Sequence, residues 1–424
     1  MSPLVITIAV LIFMIVAFLS GKMAYSLVSF IAILILGFTG VLKPSESFGY
    51  LANTNLILMG SMMVVSAGIG KTGLLRMFAD GIKRFGGSER ALVTGFCIII
   101  AIMSQITQSV VVYLLLCPII YQTCKECDVS PTRVLLPVQI VGLIFVGMLP
   151  ISNGGAAWAR YQALLETYEC NTMGVWDLVI GRLPGAILVL IYMCVWGYKL
   201  APYTPSVAPD IPEMQSLDSK LKPWQEKLTY LIFAVVGIGM ITSQYTGLQS
   251  YMIAAAGAAS LMVFGILNEK ETIKAIPWGT LFMIGGALAV AAALSQTGAG
   301  EVVGDKIMVL LGGTRNKYIV GIIFFMVPLI LTQFMSNTGV DNIFSPLVIM
   351  TCKQAGLNPI PFLSSLRVAG ATAFLTPMAA SSIPMVMRTG GYTIKDIAKV
   401  AAVPMVIVTI SSLLCNLNMF QIYI

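Results

Sequence analysis

Thr332-Gln333-Phe334-Met335-Ser336-Asn337-Thr338-Gly339 lies in the middle of an apolar stretch, residues 318–352. A second polar run, Ser104-Gln105-Ile106-Thr107-Gln108-Ser109, lies in the middle of another, residues 91–124, which carries no charge at all. The arms 91–103 and 110–124 are each too short to cross roughly 30 Å of hydrocarbon. Each stretch therefore reads as a re-entrant hairpin that enters and leaves on one side. A polar, non-helical tip is tolerated at membrane depth only where protein or a wet cavity satisfies its backbone groups.

The rest of the chain places those tips in a bilayer. Of 424 residues, 58% are hydrophobic and 10% charged, with mean hydropathy +0.91, against roughly 25% charged in a soluble domain. A soluble enzyme, a secreted scaffold and a disordered protein are excluded together. There is no histidine, which removes His-based metal sites and proton relays. The eight cysteines are scattered through apolar runs, where a thiol behaves as a small hydrophobe. Cys124 and Cys127 form a CxxC without a second pair, a weak metal or redox signal. The net charge of +7 is dispersed among helix ends, which fits membrane orientation rather than nucleic-acid binding. The first apolar run, to Leu19, reads as a retained helix, because it lacks a basic leader and a small-residue cleavage site.

Apolar runs long enough to span fall near 3–20, 24–42, 55–70, 134–159 and 178–198, then near 228–243, 250–268, 278–295, 358–387 and 400–422. Between the sets, residues 199–226 are rich in proline and charge and read as a cytoplasmic linker. The halves align with each other. At an offset of about 228, Pro118 meets Pro346, Thr123-Cys124-Lys125 meets Thr351-Cys352-Lys353, Pro131 meets Pro359 and Arg160 meets Arg388. At about 225, Gly60 meets Gly285 and Thr72-Gly73 meets Thr297-Gly298. The expected fold is an all-α polytopic membrane protein. It has about ten crossings and two hairpins, as inverted repeats 1–198 (hairpin about 91–124) and 227–424 (hairpin about 318–352). With the N-terminus outside, 17 of the 25 Lys and Arg fall inside, as the positive-inside rule requires. Ten crossings then return the C-terminus to the outside of the cell membrane.

Interrupted segments at matching places in inverted halves point to a midplane binding site. Two are the hairpin tips. The others are breaks in long spans, Pro150-Ile151-Ser152-Asn153-Gly154-Gly155 and Pro377-Met378-Ala379-Ala380-Ser381-Ser382. Freed carbonyls and hydroxyls replace water around Na⁺, while half-helix N-termini with Asn, Ser or Thr hold a carboxylate. Arg160 and Arg388 have two readings, charges that attract anions or, preferred, anchors of helix ends at the interface, and Arg367 reads as a snorkelling side chain. Asp341, inside the second hairpin, costs on the order of 3 kcal/mol at a helix centre. Two readings stand: it caps the tip's free N–H groups, or it carries the coupling ion. No P-loop, dinucleotide fingerprint or nucleophile triad marks an enzyme.

Ser336-Asn337-Thr338 in the second hairpin, followed by Asn342 and Pro346, resembles the divalent anion/sodium symporter family of di- and tricarboxylate carriers, in the ion transporter superfamily. Pro277-Trp278-Gly279, Gly285-Gly286 and Thr297-Gly298 add to the resemblance, which covers nearly the whole chain. It implies a second sodium site at Thr332, Met335, Asn337 and Ala379, and a first at Ser104, Gln108, Ser109 and Ser152. It implies an anion surrounded by Ser109, Asn153, Gly154, Asn337, Thr338, Ala380 and Ser381. It further implies a homodimer with an elevator mechanism, Na⁺ as coupling ion and no other cofactor. Two departures stand out: Gln108-Ser109-Val110 replaces the first hairpin's Ser-Asn-Thr, and the Thr-Pro-Pro-like sequences after both breaks are missing. A proton-coupled anion carrier, a Na⁺/H⁺ antiporter, a metalloid-oxyanion permease and a non-transporting membrane subunit remain as alternatives.

Overall fold

In a computed structural model, the described residues are 2–20, 22–73, 88–106, 108–209, 221–310, 316–333, 337–376, 380 and 382–420. Their regular structure is helical, with no strand among them. Helices of nine or more residues begin with α1 (Pro3–Ser20), α2 (Tyr25–Phe38) and α3 (Thr54–Ile69). Next come α4 (Glu89–Met103), α5 (Ser109–Glu126), α6 (Thr132–Phe145), α7 (Asn153–Thr167) and α8 (Leu183–Val195). The second half holds α9 (Pro223–Thr246), α10 (Ser250–Val263), α11 (Trp278–Gln296) and α12 (Ala299–Leu310). It continues with α13 (Lys317–Leu331), α14 (Asn337–Ala355), α15 (Ile360–Ala371), α16 (Ser382–Gly390) and α17 (Ile394–Met419).

Several starts carry side-chain caps, which satisfy N–H groups that a first helical turn leaves unpaired. Asn53, Ser88 and Asn316 accept from Asn55, Ala91 and Tyr318 N–H respectively. Thr393 and Asp396 form a reciprocal box at the start of α17.

Both apolar stretches with polar centres are pairs of helices interrupted at the polar run. α4 and α5 flank the first, α13 and α14 the second, and the arms of each pair touch. At 15 residues each, α4 and α13 are about 22 Å long, short of the hydrocarbon thickness. The spans near 134–159 and 358–387 are also broken, into α6 and α7 and into α15 and α16. Of the expected linker, residues 201–209 are irregular, 210–220 lie outside the described residues, and α9 begins at Pro223. The basic stretch 71–90 lies largely outside them too, at 74–87.

α2 packs along α11 and α3 along α10, while α4 lies on α6 and α13 on α15. Two glycines permit the first pair of contacts. A Cβ on Gly286 would stand 2.5 Å from that of Ser29, and one on Gly68 would stand 2.7 Å from Leu261 Cδ1.

Outer faces are apolar as well as the core. Leu231, Val235 and Ile238 form an exposed stripe on α9, and Val406, Ile410 and Leu414 one on α17. Water would penalise such stripes and lipid does not. Among the described residues, four helical stretches are long and apolar enough to cross a membrane alone: Pro44–Ile69, Asp177–Val195, Trp278–Gln296 and Ile394–Met419. The chain is an integral membrane protein.

Candidate functional site

Helix α4 ends at Met103, and Ser104, Gln105 and Ile106 form the turn before α5. Nearby, α6 ends at Phe145 and the chain runs irregularly to Asn153, with Gly147 at φ 57° and Ser152 at φ 50°. A Cβ on Gly154 would fall 1.8 Å from the Leu149 carbonyl oxygen, so only glycine fits there. This break strips backbone groups of helical partners, and leaving them unpaired at membrane depth is costly.

Gln105 supplies partners for several of them. Its amide nitrogen donates to the carbonyls of Ala101 (2.9 Å) and Phe145 (2.7 Å). Its amide oxygen accepts from Met148 N–H (3.2 Å) and Leu149 N–H (3.0 Å). Ser152 and Ser66 donate their hydroxyls to the Ile106 carbonyl at 2.6 and 2.5 Å. Arg182, buried before α8, donates to the Val146 (3.0 Å) and Leu143 (3.2 Å) carbonyls at the broken end of α6.

The second half builds the same joint from the equivalent residue. Gln333, 228 positions after Gln105, donates to the carbonyls of Leu329 (3.0 Å) and, at longer range, Thr372 (3.5 Å). It accepts from Leu375 N–H at 3.1 Å. Thr376 donates its hydroxyl to the Gln333 carbonyl. Each hairpin tip is thus fastened to the broken helix of its own half. Reading the sequence by motif passes over Gln105 and Gln333. The signal is there all the same, because Ser104-Gln105 and Thr332-Gln333 occupy matching places in the repeat.

The expected site residues divide as follows. Ser104, Ser109 and Ser152 are buried together around the first tip. The Ser104 hydroxyl has no hydrogen-bond partner, and that of Ser109 accepts from Gln139 at 3.4 Å. Gln108, at the N-cap of α5, is exposed instead and makes no capping bond. In the second half Thr332 is buried, with its hydroxyl on the Leu329 carbonyl at 3.0 Å. Asn337 begins α14, and its amide oxygen is buried without a partner. Thr338 follows and lines an open cavity of about 350 Å³ with Ser26, Trp278, Thr280 and Met283. Asn153 and Gly154 begin α7, and Ala380 is half-buried. Met335, Ala379 and Ser381 lie outside the described residues.

Asp341, one turn beyond Asn337, is buried in an ion pair with Arg160 of α7. Tyr161 donates its hydroxyl to the same carboxylate at 2.7 Å and Ser345 at 3.1 Å. The Arg160 guanidinium also lies over the Tyr161 ring, 4.9 Å from its centroid. Arg160 is therefore no interface anchor: it is 6% exposed and held by a carboxylate. Its repeat partner Arg388 is exposed. The difference follows from Asp341, which Tyr113 replaces in the first half. Tyr113 instead pairs its hydroxyl with Thr389 at 2.6 Å.

Known proteins resemble this arrangement in sequence and shape. The chain is 21% identical to the sodium-dependent dicarboxylate transporter SdcS of Staphylococcus saprophyticus, over 88% of this chain and 78% of that protein. It is 20% identical to the sodium-dependent high-affinity dicarboxylate transporter 3 of Caenorhabditis elegans, over 92% and 78%. The chain spans less than half the length of several other curated relatives it matches. The uncharacterized transporter YfbS of Escherichia coli, 27% identical over 64% of this chain, is matched over 45% of its own. Among solved structures, the YdaH transporter of Alcanivorax borkumensis superposes with TM-score 0.65 at 15% identity, covering 93% of this chain and 98% of that one. MtrF of Neisseria gonorrhoeae gives 0.62 at 13%, covering 98% and 95%. Both have this fold. The family profile described as citrate transporter matches residues 15–367, and the chain belongs to that family of membrane transporters rather than to any class of enzyme.

Proposed function

We propose that the chain is a Na⁺-coupled secondary carrier of a small anion, a di- or tricarboxylate, working by an elevator-type movement. The observation that carries this reading is the pair of polar tips, each tied by an equivalent glutamine to a broken helix. A scaffold or sensor has no use for two such costly interruptions, whereas freed backbone groups at half-helix ends are what ion and anion binding require.

In this reading Ser104, Ser109 and Ser152, with Gln108 at the rim, surround one Na⁺. Thr332 and Asn337, with Met335 and Ala379, surround the other. The unpartnered oxygens of Ser104 and Asn337 suit a hard cation. The anion lies between the N-termini of α7 and α14. Asn153, Gly154, Asn337 and Thr338 face it, with Ser109, Ala380 and Ser381 completing the shell.

Two contact patterns support inverted repeats 1–198 and 227–424. Under the offset α2 aligns with α10 and α3 with α11, so the pairs α2–α11 and α3–α10 exchange. The contacts Tyr113–Thr389 and Tyr161–Asp341 likewise join the same two positions, with the halves swapped. The cavity between Thr338 and helices α2 and α11 gives a sliding hairpin block room against a scaffold. A homodimer, with linker 199–226 inside and both termini outside, completes the proposal. Counterflow of radiolabelled succinate or citrate in proteoliposomes, with and without Na⁺, tests it. Exchange that requires Na⁺ supports the carrier, and no exchange of either anion refutes it.

A further inference from the structure

Two buried arginines lie within range of the charge of a third. Arg160 is balanced by Asp341, and Arg182 by the carbonyl end of broken α6, where the helix dipole is negative. Arg367 of α15 lies close enough to Arg160, Tyr161 and Arg182 to interact with each through its charge. Its buried Nε has no partner, as in Arg160 and Arg182, but unlike them it has neither a carboxylate nor a carbonyl to hold it among the described residues. A half-buried guanidinium beside two buried ones is repelled by both, and inside a membrane protein such a charge marks a functional site by default.

Its position says what would complete it. Gly370 lies three residues further along α15, on the same face, and a Cβ placed there would meet that of Asn337 at 3.8 Å. Arg367 is thus about one helical turn, roughly 5 Å of rise, from the residue packed on the Asn337 tip. Arg367 belongs to the packed face between α15 and α14, one turn from its Asn337 end.

We propose that Arg367 is the specificity-determining counter-charge for the transported anion, binding a carboxylate group that the Asn337 tip presents to it. This rests on the carrier reading and adds to it a residue outside the tips and breaks. The site is self-consistent electrically: Asp341 neutralises Arg160, so the charge of Arg367 is left for the ligand.

The test measures initial uptake of succinate and citrate by proteoliposomes holding wild type, Arg367→Gln or Arg367→Lys. Removing one charged hydrogen-bonding partner should raise KM at least about tenfold, with turnover at saturation within about twofold of wild type. Lysine keeps the charge without the planar fork and should restore KM to within about threefold of wild type. Should Arg367→Gln fail to fold, phenylglyoxal modification of wild-type Arg367, read by peptide mass spectrometry, replaces it. Either anion should slow that modification. An unchanged KM in Arg367→Gln, an equal loss of turnover in both variants, or modification that neither anion slows overturns the assignment alone. Wild type that takes up neither anion overturns the carrier reading as well.

Discussion

Replacing Gln105 with leucine removes both ends of the amide while keeping its bulk. Four hydrogen bonds disappear. The Ala101 carbonyl lies within α4, whereas the Phe145 carbonyl and the Met148 and Leu149 N–H groups belong to the interrupted stretch. Two backbone groups are then stranded, the Ala101 carbonyl and the Leu149 N–H, at about 1 kcal/mol each by the usual net value, because Met148 N–H and the Phe145 carbonyl keep their 3.2 Å bond to each other. The expected loss is roughly 2 kcal/mol, or about 1 kcal/mol at the smaller values measured between membrane helices. Gln333→Leu strands fewer groups, since its contact with Thr372 is long at 3.5 Å and one N–H, that of Leu375, depends on its oxygen. The first substitution should therefore cost about twice the second. Thermal unfolding of both variants in detergent, beside wild type, gives the order directly. Uptake by the folded fraction then shows whether the tips lose function with their anchors. A Gln105→Leu variant that melts and transports like wild type would refute the claim that the amide holds tip and break together.

Three other outcomes are expected. Asp341→Asn leaves Arg160 buried without its counter-charge, a loss of roughly 3–5 kcal/mol. The double variant with Arg160→Gln should lose less than the sum of the two single changes in unfolding experiments. Gln108→Ala should reduce uptake far less than Ser104→Ala, because Gln108 is exposed while the Ser104 hydroxyl is buried and unpartnered. A cysteine replacing exposed Thr204 should react with an impermeant maleimide only from the cytoplasmic side, and labelling of intact cells would reverse the proposed orientation.

Much of this architecture is legible in local chemistry. Runs without charge locate the spans, and polar runs inside them locate the interruptions between α4 and α5 and between α13 and α14, because Ser, Thr, Gln and Asn together are too costly in hydrocarbon to continue a plain span. Long-range partners are harder. Gln105 looks like any tip residue until the fold brings Phe145 and Leu149 to it. Arg160 reads as an anchor from sequence because nothing along the chain ties it to Asp341, 181 residues away. The offset of 228 does carry part of that information. It pairs Arg160 with Arg388 but Asp341 with Tyr113, so one of the two arginines has an acid available, and that one is buried.

Sodium-driven uptake by the Asn337→Ala variant decides whether the second tip binds ion and anion together. Asn337 combines a buried, unpartnered amide oxygen with the first position of α14, so the proposal assigns it to the cation and the anion at once. Wild-type proteoliposomes with an inward Na⁺ gradient should accumulate labelled succinate or citrate above the no-gradient level. Asn337→Ala, folded and reconstituted equally well, should accumulate none. Accumulation at the wild-type rate by the variant, or a wild type indifferent to Na⁺, would contradict the account.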